Sequence, residues 1–200
     1  MGAYKGWPDS KANGFLDELV QTVEERRIHP VSSAIVVDSF NKLSHNQRRF
    51  LTGGTLWNGK FRSSGCPSKP YFVPFQNCII DAAGHAPVGG KAHFFFDLNK
   101  NFEGYALDLF AIIKKTVPIR ERIGDIDFLS GVDTAPLQTA DLLSYQSYQY
   151  ALKLLANRSE RVPHVLKRLL RGLIPRTDTF LDDKGLQALL EGVSIPPDDT

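Results

Sequence analysis

Two hundred residues suffice for one ordinary domain, or a domain with an appendage, and leave no room for a repeat array or a large multidomain enzyme. With 42% hydrophobic and 23% charged residues, the chain carries enough apolar surface to offset its ordering entropy, so it is expected to fold around a core. A formal net charge of +2 selects no polyanionic partner by itself.

Cys66 and Cys78 lack CxxC spacing, which argues against a zinc cluster and against a disulfide-stapled secreted fold; both read as ordinary thiols. No run of apolar residues reaches the ~20 that a membrane-spanning helix requires. The N-terminus, with Lys5, Asp9 and Lys11, has no signal-peptide core. The expectation is a cytoplasmic protein with no membrane partner.

In chain order, Phe15, Leu16, Leu19, Val20 and Val23 recur at steps of three and four and predict a helix, with Asn13 or Asp9 as its cap and an end near His29-Pro30. Ser33 to Asp38 predicts a short strand buried on both faces. From Ser44 to Lys69 the pattern reads as helix punctuated by turns, a surface excursion. Gly53-Gly54 completes neither a P-loop nor a GxGxxG pattern, so it reads as a turn and not as a phosphate cradle. Pro74 to Ala83 predicts a second helix, with Phe75, Cys78, Ile79 and Ala82 on one face and Gly84 as its stop.

His93 to Asp97 is the second expected strand, and Asn99 to Asn101 supply a turn and cap for a helix carrying Ala106, Leu109, Phe110 and Ile113. A third strand over Ile126 to Leu129 leads through Gly131 and Pro136 into a long helix, Leu137 to about Ala156, ordered by Leu137, Ala140, Ser144, Ser147, Ala151 and Leu154. Short strands joined by crossover helices predict an α/β fold with a mostly parallel sheet. Past Asn157 the charge separates: Lys153 to Arg176 carries a net +6, and Thr177 to the end a net −5. Val165, Leu166, Leu169 and Leu173, then Leu186, Leu189 and Leu190, keep helical spacing. The expected organisation is therefore an α/β domain over 1–157 and a helical hairpin over 158–200.

Asp97 closes a strand of three phenylalanines just before a turn. In open α/β sheets ligands bind outside the carboxyl ends of strands, where a carboxylate reaches a metal or substrate from a rigid base. The competing role is a turn or helix cap. Asp141 lies in the second turn of the long helix among Ala140, Leu142 and Leu143; a buried carboxylate there would need a partner, a hydrogen bond or a metal. Gln138, Asp141 and Tyr145 recur at i, i+3 and i+7 and share one stripe that could line a cleft, the alternative being an acid placed by the helix dipole.

Leu137-Gln138-Thr139-Ala140-Asp141-Leu142-Leu143-Ser144-Tyr145, after Asp127-Phe128-Leu129-Ser130, resembles the Leu-Gln-x-Ala-Asp helix of the domain-of-unknown-function family catalogued as number 3800, widespread in bacteria and phages. Phe94-Phe95-Phe96-Asp97 resembles that family's central Asp-ended strand, and a looser likeness runs from about Phe15 to Tyr150. The resemblance implies a ribonuclease-H-like three-layer core, whose relatives use carboxylates to hold divalent metals for phosphodiester hydrolysis. It makes Asp97 and Asp141 the expected ligands of Mg²⁺ or Mn²⁺, Asp133 a weaker third acid and Gln138 an orienting residue. Mg²⁺ takes oxygen ligands and keeps several waters, so no histidine or cysteine is needed.

The family opens with a strand bearing Asp-Glu-Ser-Gly, and the stretch from Met1 to Trp7 has no such motif. The expectation is that the N-terminal strands are missing, which can leave a nuclease scaffold inactive as it stands and expose a sheet edge for homo-oligomerisation. Asp38 could replace the absent acid but suits a strand-end turn better. DNA or RNA is the expected partner, with Arg161, Lys167, Arg168 and Arg171 guiding the phosphate backbone unless they form a solvated helix face. The alternative function is a non-catalytic interaction or nucleic-acid-binding module.

Overall fold

The computed structural model describes residues 8–26, 28–58, 60–63, 65–130, 135–156 and 177–198. In chain order these form α1 (Asp9–Glu25), β1 (Val31–Ile35), α2 (Val37–Asn41), α3 (His45–Leu51), β2 (Thr55–Trp57), β3 (Lys60–Arg62), α4 (Phe72–Gly84), β4 (Ala92–Asp97), α5 (Glu103–Thr116), a 3₁₀ turn (Arg120–Arg122), β5 (Ile123–Leu129), α6 (Ala135–Leu155), β6 (Thr177–Leu181) and α7 (Asp183–Leu190). They group into two compact units: Met1–Val31 with Gln138–Thr177, and Ser32–Leu137 with Asp178–Thr200.

The larger unit is α/β, with short sheets that are mostly parallel. β4 and β5 run parallel, Phe94 opposite Ile126, Phe96 opposite Phe128 and Asp97 opposite Leu129. α5 makes the crossover between them. Its Ala106, Leu109, Phe110 and Ile113 are all buried and meet Phe72, Phe75, Ile79 and Ala83 of α4 over Phe94 and Ile123. Both helices cover the same sheet face, because the alternation along β4 sends Phe94 and Phe96 inward and His93, Phe95 and Asp97 outward. Phe75 meets Phe96 at 4.9 Å and Phe94 meets Phe110 edge-on at 5.8 Å between ring centres, within the favourable range for aromatic pairs.

The other face of α4 turns to a second sheet. β1 pairs with β6, Thr177 N–H bonding Pro30 C=O at one end and Val36 N–H bonding Leu181 C=O at the other, so the two strands run parallel. Asn77 of α4 donates to Ser33 of β1 (3.3 Å), and Asp81 accepts from Thr179 of β6 (3.5 Å). A second core gathers Phe40, Leu43, Leu51 and Val73 with Leu181, Leu186 and Leu190.

Several expectations change here. The three expected strands do not share one sheet: β1 belongs with β6, and β4 with β5. The first strand begins at Val31 and stops at Ile35; once Val36 has made its bond to Leu181, Phe40 N–H bonds Val36 C=O and α2 starts. Asp38 therefore sits in the first turn of a helix, not at a strand end. Residues 44–69 hold α3 and an antiparallel hairpin, β2–β3, in which Thr55, Leu56 and Trp57 pair Arg62, Phe61 and Lys60. Asn58, which follows β2, has φ +48, the left-handed conformation that tight hairpin turns require. Of the expected C-terminal hairpin, the second helix is α7, the first lies outside the described residues, and Thr177–Leu181 is a strand.

α3 has well-defined ends. Ser44 and Gln47 form a reciprocal capping box. At the other end Gly53 N–H bonds Phe50 C=O and Gly54 N–H bonds Arg49 C=O, a Schellman motif with Gly53 at φ +116. Both amides of the Gly53-Gly54 pair are therefore occupied by the helix they terminate.

In the smaller unit Val20 and Val23 of α1 are buried with Leu16 and Leu143 of α6. α1 enters from Pro8 with no side-chain cap, and Asp9 and Asn13 both lie within it; it ends at Glu25, short of His29-Pro30. The expected row of α6 is buried only in part: Ala151 is buried, Ala140, Ser144 and Leu154 are exposed, and Leu143 and Gln146 beside the row face inward. The expected row is mostly Ala and Ser, which bury little area; the leucine beside it has more to gain.

Candidate functional site

Asp97 is the last residue of β4, exposed, at the carboxyl end of a parallel strand pair. The chain beyond it is held by Leu98 N–H bonding Leu129 C=O at 2.9 Å. The turn into α5 uses Asn99: its side chain accepts from Asn101 N–H, and its carbonyl accepts from Phe102 and Glu103. Asn99 thus closes this turn and holds the start of α5.

A second acid shares this face. Along β5, Asp125, Asp127 and Leu129 alternate outward against Ile126 and Phe128 inward. Asp127 pairs with Phe95, so it sits diagonally from Asp97 across the ladder, with Cα atoms roughly 8 Å apart by ordinary sheet spacings. Two aspartates at that separation can reach one ion. Asp127 is not among the expected site residues; its signal in the sequence is the polar place it takes between Ile126 and Phe128.

At the amino end of the same face the charges are already matched. Lys114 of α5 donates to Gly124 C=O at 2.6 Å and meets Asp125 at 3.3 Å, while His93 Nδ1 lies 3.7 Å from the same carboxylate. Asp125 is engaged structurally, and Asp97 and Asp127 stand at the other end of the face. The donor set there consists of carboxylate oxygens and is of the kind Mg²⁺ takes, with one or two acids and the remaining positions filled by water. No group of three or more His, Cys, Asp or Glu side chains able to hold a metal occurs among the described residues.

Gln138 and Asp141 lie on α6 in the smaller unit, and each unit is described by itself. Asp141 is exposed, as are Gln138 and Tyr145, so the expected stripe exists and faces solvent. The expectation of a buried Asp141 is corrected: Leu143 packs with Val20 and Val23, and Asp141, two residues earlier on the helix, points elsewhere. Asp133 and the basic residues Arg161, Lys167, Arg168 and Arg171 lie outside the described residues.

Neither thiol forms a disulfide. Burial, with the Asp81 carboxylate adding to it, pushes the Cys78 thiol up to about 11, so Cys78 is protonated and inert as a nucleophile at neutral pH. Tyr105 donates to Thr52 C=O at 2.7 Å, and its phenol is pushed well above its ordinary value by burial and by the neighbouring Cys66 thiol. No family model, curated protein or solved structure matches the chain.

Proposed function

We propose that the chain is a divalent-metal-dependent phosphodiesterase of ribonuclease-H-like design, acting on DNA or RNA, with Asp97 and Asp127 of the larger unit as ligands of Mg²⁺ or Mn²⁺, and with Asp141 of α6 proposed separately as a metal-binding acid. The observation that supports this most is the exposed Asp97 at the carboxyl end of a parallel strand, beside Asp127 on the same face. A bound divalent ion supplies charge for the scissile phosphate and a more acidic water. Asp97 and Asp127, based on a ladder backed by the α4 and α5 core, hold their oxygens in place without loop rearrangement. Gln138, one turn before Asp141 on α6, has an amide that can orient the phosphate or the attacking water. Asp133 is proposed as a weaker third acid.

Calorimetric titration with Mn²⁺, alongside cleavage assays on DNA and RNA, tests this in wild type, Asp97→Asn, Asp127→Asn and Asp141→Asn. Loss of both Mn²⁺ uptake and cleavage in Asp97→Asn and Asp127→Asn is expected, with loss of cleavage in Asp141→Asn. Cleavage at wild-type rates in Asp97→Asn or Asp127→Asn refutes the paired site, and in Asp141→Asn refutes the role of that acid.

A second, non-catalytic reading draws on the apolar content of the same face, where Phe95 is 52% exposed. Such a face suits a docking module or a dimer formed through the sheet edge. Absence of Mn²⁺ uptake in the wild type, together with concentration-dependent mass in solution, would favour it.

A further inference from the structure

We infer that the β2–β3 hairpin, carried on α3, is a docking surface for the phosphate backbone of a nucleic acid. Between Asp38 and Asp81 the sequence has no acidic residue, yet it has Lys42, Arg48, Arg49, Lys60, Arg62 and Lys69. At the chain's average density of acids, about four or five would fall in that interval. The net charge of +2 hides this concentration of positive charge.

Folding leaves most of that charge without an ion pair among the described residues. Lys42 is answered by Asp183 at 3.0 Å, and Lys69 lies over the Phe102 ring at 5.1 Å. For Arg48, Arg49, Lys60 and Arg62, no carboxylate lies within ion-pair distance among the described residues. The buried Nε atoms of Arg48 and Arg49 also have no hydrogen-bond partner among the described residues. Elsewhere in the same unit, Lys114 and Asp125 show that available countercharges are used.

The hairpin presents its charge in a fixed direction. Along β3 the alternation leaves Lys60 and Arg62 exposed and turns Phe61 inward, against Gly54, where a Cβ would lie 3.1 Å from the Phe61 ring. Arg49 of α3 donates to Ser63 C=O and ties the end of β3 to the helix. Two cations on one strand face lie about 6.8 Å apart, of the order of the step between neighbouring phosphates on an extended strand. A two-stranded ribbon with a basic outer face also fits a duplex groove flanked by phosphates. This surface uses residues distinct from the proposed metal ligands, and each reading can fail without the other.

Fluorescence anisotropy with labelled 20-nucleotide DNA and RNA, single- and double-stranded, is measured on the full chain in EDTA, where no metal-dependent step contributes. Lys60→Gln/Arg62→Gln is compared with the equal charge change Lys91→Gln/Lys100→Gln, folding of each being checked by circular dichroism. The hairpin variant is expected to bind at least tenfold more weakly. The slope of log K against log salt should also shrink by about 1.4 for single strands or about 1.8 for duplex, the loss of two phosphate contacts. Equal binding by the hairpin variant and wild type overturns the inference. So does an equal loss in the Lys91/Lys100 control, failure of the wild type to bind any strand, or tighter binding to phosphatidylserine vesicles than to nucleic acid.

Discussion

Gly53→Ala is expected to be among the more damaging single-methyl additions in the larger unit, and its cost separates into two parts. The residue sits at φ +116, outside the conformations an L side chain adopts readily, which costs about 1–2 kcal/mol. Its new Cβ would also lie 2.7 Å from Leu109 Cδ1 and 2.8 Å from Tyr105 Oη. Leu109 is fully buried, and the Tyr105 hydroxyl is committed to Thr52 C=O, so neither can retreat freely. Overpacking of this kind costs about 1–3 kcal/mol, giving about 2–5 kcal/mol in all. Gly89 provides the reference: φ is +76 and nothing lies within 4 Å of a Cβ there, so Gly89→Ala should lose only the backbone part. Urea unfolding followed by circular dichroism reads both, as shifts of midpoint at unchanged slope. A Gly53→Ala protein no less stable than Gly89→Ala would refute the close packing of α3's end against α5.

Two further outcomes follow from the same interior. Thr52 is fully buried and donates to Pro67 C=O at 2.6 Å, so the near-isosteric Thr52→Val strands that carbonyl and should cost about 1–3 kcal/mol in the same unfolding experiment; a shift under about 0.5 kcal/mol would argue against the bond. Cys78 keeps its proton in the folded chain until pH approaches about 11, against 9.0 for an ordinary thiol, so the unfolded chain ionises first and stability declines as pH rises from about 9 through 11. In a Cys66→Ser background, iodoacetamide labelling of Cys78 should be slow at pH 8 and accelerate above pH 10; a plateau reached by pH 9 would contradict the assigned burial.

Apolar spacing made part of this structure readable from the chain alone. Ala106, Leu109, Phe110 and Ile113 form the buried row of α5 as their spacing predicts, because an amphipathic helix over a sheet has one way to bury them. α4, β4 and β5 were similarly legible. The hairpin was missed although Asn58-Gly59 announces it, since three-residue strands are too short to display alternation. β6 has the local pattern Thr-Asp-Thr-Phe-Leu, and its strand character comes from pairing with β1 rather than from its own composition. The same limit affected the candidate site. Asp97 could be placed because a strand and a turn meet there, whereas Asp127 is marked only by its polar place between Ile126 and Phe128, and its nearness to Asp97 comes from the β4–β5 register.

The pairing of β1 with β6 joins segments 146 residues apart, and so bears on how the protein is made. A ribosome that has released residues only as far as Leu137 has supplied Phe40, Leu43 and Val73 but not Leu181, Leu186 or Leu190, which complete their cluster. Until translation has passed β6, β1 lacks its neighbour, and until it has passed α7 the cluster lacks Leu186 and Leu190. The nascent polypeptide therefore depends on late closure of a very long loop, a slow event and an opening for chaperones or for misassociation.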